Sequence, residues 1–454
     1  MIAFKINDEY LDLESGTSIE IKLVNPLFNN DFEQGMLTYD FNVKATPKNL
    51  LLLAFAGHLS LRTSAVQALP CQMWLNNQLW RVGKLQVLER TEKNYRVNFQ
   101  SDAGALDELA EDRLREIDLG SVQMNNSVKA LYPVDKVAQF PVRNTGFYKE
   151  PPVLYSGTMN NFLNGFNEAP KVPFPYLVHV LHQLMAAYGW TVKGQWLEEE
   201  ATRRRVIFNT VAVDNGEVVV NRHVPDLTAG EFLKAIRKRY GLGLVFRTKS
   251  KELELVRLQD ALKSTSYQDW TWRVQRGYTW APNKTDGFTL REELDSEDDL
   301  QKELTEDYGT LVFGNGKEVV ETGVGSTTME TLPWGAVVPG VSQLGGSYEE
   351  PSKFSFRVLS YRGLVDNAPA AENETWDDLQ DALQEWYTWK GQTELIQRTV
   401  NLHVSHLLEL DPLWKIFVRS EEGTVKAFWS EIDITVSLKD GIRPAKVKFL
   451  KIMQ

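Results

Sequence analysis

With a single cysteine in 454 residues, the chain has no internal partner for Cys71, so stability has to come from packing or from assembly with other chains. No uncharged apolar run approaches the ~18 residues of a membrane-spanning helix. The start, MIAFKINDEYLDLESG, lacks the basic opening and long apolar core of a secretion signal, which leads us to expect soluble synthesis in a reducing cytoplasm. Positive charge is also short: 61 Asp and Glu outnumber 50 Lys and Arg, for a formal net charge of −11. Such a balance disfavours nonspecific binding to DNA, RNA or anionic lipid.

Catalytic signatures are missing too. There is no Gly-x-Ser-x-Gly elbow, and Cys71 sits in an alternating stretch that makes it a core thiol. Around Gly314, Gly316 and Lys317 the spacing is wrong for a phosphate loop, and Glu318 stands where Ser or Thr should follow the lysine, so we expect a hairpin turn. The acidic run from Arg291 to Gly309 lacks the alternate acids and central glycine of a calcium loop, and reads as a solvated face. His179 and His182 share a helical spacing without a clear third ligand, which favours a partly buried helix face. His403 and His406 lie in a strand-like run that would point them to opposite faces. We therefore assign no catalytic, cofactor-binding or metal residue, and expect no enzyme.

What is present is an ordinary globular balance, 43% hydrophobic and 24% charged, in a chain long enough for about three domains at ~100–200 residues each. The first 120 residues or so alternate as strands. Asn7-Asp8 marks a hairpin; Ile19, Ile21 and Leu23 form one apolar face, and Leu37, Tyr39, Phe41 and Val43 another. Between them, PLFNNDFEQG has to be a turn or arm joining two strands. Thr46-Pro47 opens a short buried helix that closes near Gly57, and a meander with turns at Asn76-Asn77 and 92–94 follows.

Prolines at 133, 141, 151, 152, 170, 173 and 175 favour an extended connector. Leu177, Val180, Leu181, Leu184 and Met185 then recur at helical spacing with Gly189 as a stop. In the next helix Thr228 and Glu231 form a capping box, Phe232, Ile236 and Tyr240 a stripe, and Gly241 the end; a strand pair turned at 249–251 completes an α+β unit. The tryptophan-rich segments could be sugar-stacking surfaces. Their periodicity argues for core or subunit contact, with Trp270, Trp272 and Val274 alternating on a strand face and Leu379, Leu383 and Trp386 on a helical stripe.

The segment NPLFNND…LTYDFNVKATPKNLLLLAFAGHL resembles the start of bacteriophage tail hub (tail-tip or baseplate hub) proteins, particularly those of phages infecting Bacteroidetes. The stretches FPVRNTGFYKEPPVLYSGTMNNFLNG, VPFPYLVHVLHQLMAAYGWTVKG and HVPDLTAGEFLKAIRKRYGLGLVF are similar to the middle of those proteins, and HLLELDPLWKIFVRS…IRPAKVKFLKI to their closing β-domain. Residues 280–350 match least. The resemblance implies a β-rich α+β chain with two tube-like β-barrel domains and an intervening α+β domain. Its parts would be an N-terminal tube domain (1–125), a Pro-rich connector (126–175), the α+β domain (176–265) and a second tube-like domain with an acidic insertion (266–454). It implies a structural ring in the virion tail, synthesised in the host bacterial cytoplasm, that joins the tail tube to the tip and passes DNA without binding it specifically. The partners would be two further copies in a homotrimer, a tail tube or distal tail protein, a tape measure protein, and spike or fibre proteins. A distal tail adaptor ring, or a glycan-binding or carbohydrate-active tail protein using the tryptophan-rich segments, are the alternatives. In this picture Asn25, Pro26, Phe28, Phe32, Tyr39 and Phe41 belong to a subunit-interface arm, and Glu20, Asp40, Glu431 and Asp433 are candidates for an acidic lumen. The competing expectation is that acids cluster in the outer run from Glu292 to Asp307, leaving the lumen neutral.

Overall fold

A computed structural model describes residues 2–28, 36–59, 68–101, 110–123, 131–145, 159–160, 171–213, 217–282, 285–302, 304, 309–342, 354–421 and 423–452. Its main element is a 15-stranded sheet that takes strands from both ends of the chain. The order along it is Glu9–Tyr10, Ile2–Ile6, Ala68–Leu75, Gln78–Arg90, Asn94–Ser101, Met36–Thr38, Ser18–Val24, Gly423–Ser437, Ala445–Lys451, Leu395–Val400 and Thr279–Ala281. The join lies between Ser18–Val24 and Gly423–Ser437, antiparallel with Ile19 opposite Val436, Ile21 opposite Ile434 and Leu23 opposite Ile432. These six side chains are buried, as strict alternation dictates when one face of a sheet meets the core. The two segments expected to build separate tubes thus share one sheet and one core, in which Phe4, Val97 and Phe99 lie with Ile432, Val447 and Phe449.

Local chemistry explains the turns. Asn7 and Asp8 take positive φ (48° and 67°), as do Asn76 and Asn77 (47° and 62°), the geometry of two-residue hairpins. Thr46 caps the helix Pro47–Leu52 through its hydroxyl, which accepts the Asn49 N–H at 3.2 Å. This helix is shorter than expected: Ala54 and Phe55 turn left-handed, Leu53 is buried, and Leu51 faces solvent. The alternation through Leu37, Tyr39, Phe41 and Val43 also breaks. Leu37 stands opposite Gln100 and Phe41 opposite Val97, so one extra residue enters at Tyr39-Asp40. This bulge turns Thr38 inward, where its hydroxyl accepts the Phe99 N–H at 2.7 Å, and leaves Tyr39 half exposed.

Cys71 lies in the strand Ala68–Leu75 and is buried; desolvation pushes its thiol up to about 12 against a weaker backbone hydrogen bond from Lys5. We expect no reaction of the folded chain with a thiol reagent such as DTNB at pH 8, and one equivalent after denaturation. Prompt labelling of the native protein would show that the strand opens readily.

Beside the sheet stands an α+β unit with its own core. The helix Leu177–Ala187 buries its Leu177, Val180, Leu181, Leu184 and Met185 stripe. The helix Ala229–Tyr240 has the complete Thr228–Glu231 capping box and ends on Gly241 in the left-handed region (φ 61°). The hairpin of Leu242–Arg247 and Glu252–Arg257 follows. Residues 285–392, expected with the C-terminal strands, contribute Phe288, Leu290, Phe356, Leu379, Leu383 and Trp386 to this core instead. The reversal at Gly314 and Gly316 exists, although Thr310–Gly314 and Glu318–Glu321 flank Gly287–Arg291 rather than pairing with each other. The proline-rich stretch turns at 132–134 and forms short strands at Val137–Ala138, Val142–Asn144 and Phe174–Pro175. It is also packed: Phe140 stacks on Phe174 with ring centroids 4.1 Å apart, in a third core with Val206, Phe208 and Tyr361.

Candidate assembly surface

The segment Asn25–Phe28 leaves the strand Ser18–Val24 and enters the α+β unit, and its chemistry makes it a joint. Asn25 is fully buried. Its main-chain N–H donates to the Ser430 carbonyl at 2.9 Å, prolonging the ladder by one residue. Its side-chain amide donates to the carbonyls of Trp429 (2.9 Å) and Pro412 (3.1 Å), while its side-chain oxygen accepts the Leu27 N–H at 3.0 Å. Arg237 of the Ala229–Tyr240 helix donates to the carbonyls of Pro26 and Leu27 at 3.0 and 3.1 Å. Leu27 enters the second core against Gly243, where an added Cβ would stand 2.6 Å from the leucine Cδ2. Phe28 lies parallel to Trp386 (5.7 Å, 8°) and touches Trp389 and Phe428 at 5.9 and 5.7 Å.

The apolar surface of Leu27 and Phe28 is therefore already used within the chain. Phe41 is likewise buried, stacked on Phe4 at 5.0 Å. Of the arm residues, Tyr39 is the described one with a substantially exposed ring. Phe32 and the loop tip lie outside the described residues.

The face of the sheet turned away from its core carries the lumen candidates. Glu20 faces solvent and Asp40 pairs with Arg96 at 3.5 Å. Glu431 accepts from Lys448 at 2.6 Å, with Lys22 at 3.7 Å, and Asp433 stands between Lys22 and Lys446 on the flanking strands. Acids and lysines thus alternate across neighbouring strands, the opposite-charge pairing that stabilises a sheet surface. The face is polar and mixed in charge rather than acidic throughout.

The acidic run departs in part from its expected solvation: Glu293, Glu297 and Asp299 are exposed as expected, and residues 303 and 305–308 lie outside the described residues. Glu292, Asp295 and Asp298 are buried. Arg239 reaches Glu292 at 2.6 Å, and Arg357, itself inaccessible to solvent, meets Asp295 at 2.8 Å and Asp298 at 2.7 Å. Burial raises the Asp295 carboxyl, but the Arg357 charge and hydrogen bonds from Glu297 and Ser355 outweigh it and hold it below the ordinary carboxylate value. A third buried arginine, Arg205, pairs with Glu374, its guanidinium over the Tyr240 ring at 4.1 Å. Sequence reasoning missed these arginines. The available signal was a lone arginine inside an apolar strand pattern, as in FSFRVL around Arg357.

The histidines and tryptophans sort by packing. His179 and His182 lie against Tyr132 at 6.2 and 5.9 Å on a partly buried helix face. His403 caps the short helix Val404–Leu408 and accompanies His406 at 5.6 Å, so the strand expected there is a helix that brings the rings together. Among the described residues, no group of three or more His, Cys, Asp or Glu side chains is placed to hold a metal ion, and no helix is long and apolar enough to cross a membrane. Trp386 faces the core, as the stripe of Leu379, Leu383 and Trp386 predicts, and Trp389 joins it there. Trp270 and Trp272 separate: Trp270 is buried, whereas Trp272, on a turn, is 95% exposed.

Solved structures offer a comparison over nearly the whole chain. The protein is similar to phage tail proteins. Over 99% of its length it matches the 43 kDa tail protein of prophage MuSo2 from Shewanella oneidensis, covering 97% of that chain at 11% identity with a TM-score of 0.43. A tail protein from Neisseria meningitidis MC58 matches over 99% of this chain and 95% of its own, at 11% identity and a TM-score of 0.41. An E. coli component of the type VI secretion system, described as structurally similar to the T4 tail proteins gp27 and gp5, matches over 99% of this chain and 76% of its own, at 8% identity and a TM-score of 0.37. No protein-family model and no curated protein sequence matches the chain.

Proposed function

We propose that the chain is a structural hub of a phage tail tip, forming a homotrimeric ring that joins the tail tube to the distal tip and leaves a channel for DNA. The observation that carries this reading is the single sheet zipped from both ends of the chain, buried on one face and polar with paired charges on the other. Although they share one core, the strands from the N-terminal region and those from the C-terminal region would each supply one tube-like half of that sheet to the ring. Three chains then present six such modules to a sixfold tube above and three subunits to a threefold tip below. The sequence resemblance described above supports the same assignment, and with it a location in the virion tail and neighbours that include a tube or distal tail protein, a tape measure protein and a spike or fibre.

In this ring the polar face lines the channel, with Glu20, Asp40, Glu431 and Asp433 beside Lys22, Lys446 and Lys448. A lining in which Lys22 and Lys448 already pair with Glu431, and Lys446 stands opposite Asp433, offers phosphates little counterion release, so DNA passes without being held. The role is mechanical, not catalytic. Electron microscopy of the purified protein checks the reading: we expect threefold rings with an open centre. Particles of another symmetry, or monomers at every concentration, would refute the trimeric hub.

A further inference from the structure

The reversal between Thr310–Gly314 and Glu318–Glu321 carries the pair Asn315-Gly316, with Asn315 in solvent. An asparagine followed by glycine can lose its side-chain amide without an enzyme: the glycine nitrogen attacks the side-chain carbonyl carbon, and no side chain on the glycine obstructs the five-membered ring that forms. Two other such pairs, at Asn164 and Asn215, lie outside the described residues. At Asn315 the amide is held on both sides. Its oxygen accepts the Lys317 N–H at 3.1 Å, which folds the side chain forward over the peptide that contains the attacking nitrogen. Its nitrogen donates to the Asp286 carboxylate at 3.1 Å. The Lys317 N–H thus stands where negative charge develops on the oxygen during attack, the arrangement that lowers the barrier to acyl transfer. The Gly316 N–H donates to the Phe313 carbonyl at 3.2 Å, the long end of the usual range, so little holds the nucleophile back.

We infer that Asn315 is a self-modifying site whose conversion opens the three-stranded sheet around Gly287–Arg291. The Gly316 nitrogen bonds to Cγ of Asn315, the Cγ–Nδ2 bond breaks, and the proton given up by Gly316 leaves on the departing nitrogen as ammonia. Water then opens the ring at either carbonyl, giving an aspartate or an isoaspartate whose side chain has become backbone. Neither product fits the native turn. The aspartate sets a carboxylate against Asp286 where the amide donated, and like charges facing each other destabilise a strand pair. The isoaspartate lengthens the backbone by one carbon in a turn without space for one: a Cβ added at Gly287 would stand 2.4 Å from the Asn315 nitrogen and 2.7 Å from that of Gly316. Because Thr310–Gly314 and Glu318–Glu321 flank Gly287–Arg291 on its two sides, a reversal of altered length has to release one of them. Phe313, stacked on Tyr387 at 5.3 Å, and the buried Val320 then lose their cover. Amide loss does not reverse, so the site acts as a timer that loosens older copies of the chain. The inference does not depend on the hub assignment.

Peptide mapping by mass spectrometry tests the chemistry. The folded full-length protein is kept in mildly alkaline buffer for weeks beside Asn315→Gln, which retains the amide but would have to close a less favourable six-membered ring. The wild type should accumulate aspartate and isoaspartate at position 315, the latter also counted by a methyltransferase specific for isoaspartate, and the variant should accumulate neither there. Asn315 intact after the same interval, whatever happens at Asn164 and Asn215, would overturn the site. Hydrogen exchange on the two aged samples tests the consequence: the wild type should lose protection across 310–321 while Asn315→Gln keeps it. Conversion at Asn315 with that protection unchanged would overturn the timer.

Discussion

Arg357→Met should lower the unfolding free energy by about 3–5 kcal/mol, the cost of leaving a buried charge without its partner. The guanidinium is inaccessible to solvent and neutralises two carboxylates, Asp295 and Asp298, on a segment that has to reach in from the surface to meet it. Methionine fills much of the volume but offers no charge, so the segment around 292–301 must either bury two uncompensated acids or detach. Urea denaturation followed by tryptophan fluorescence reads the first outcome, and proteolysis within 292–301 reads the second. The same network sets an acid limit in the wild type. Because Asp295 is held below its ordinary 3.8, its contribution is fully present above that value and is lost as pH falls through the lower, folded-state value. A variant as stable as wild type would mean that the acids find water without disturbing the core.

Phe28→Ser is expected to cost about 3 kcal/mol, the low end of the range for removing a large aromatic from a core, since the ring is only partly buried. Its stacking on Trp386 and its contacts with Trp389 and Phe428 tie the α+β unit to the long strand Gly423–Ser437. The loss should appear in chemical denaturation of dilute, unassembled protein, with the Trp386 and Trp389 emission changing at lower urea. If dilute protein kept its stability and only assembly weakened, Phe28 would be acting between chains rather than within one.

The contrast between helix caps and buried arginines shows what kind of information a sequence carries openly. Thr228 and Glu231 satisfy each other's backbone within four residues, Gly241 donates to the Arg237 carbonyl within five, and the Asn7-Asp8 hairpin closes within four; such features are local and legible in the sequence. The buried half of the acidic run escapes a sequence reading because its counter-ions sit elsewhere: Arg239 lies more than fifty positions before Glu292, and Arg357 about sixty after Asp295 and Asp298. A charge run with no visible partner looks solvated. Strand parity failed for a related reason. One extra residue at Tyr39-Asp40 and one turn at Trp272 exchange inside for outside, and neither is announced by a change in residue type. The arm from Asn25 was legible as an element but not in its destination, because the surface that receives Phe28 is assembled from residues 386, 389 and 428.

The pairing of Ser18–Val24 with Gly423–Ser437 also orders events on the ribosome. At ~5–20 residues per second, the first strand waits on the order of 20–80 s for the partner that lies about 400 residues behind it. During that interval Ile19, Ile21 and Leu23 have only the strands of their own half to cover them. The α+β unit, whose segments fall between the two strands, is translated in full before the sheet can close. Completion of the sheet is therefore a late step, and a nascent chain truncated before residue 423 should present an open seam to chaperones that the full-length chain conceals.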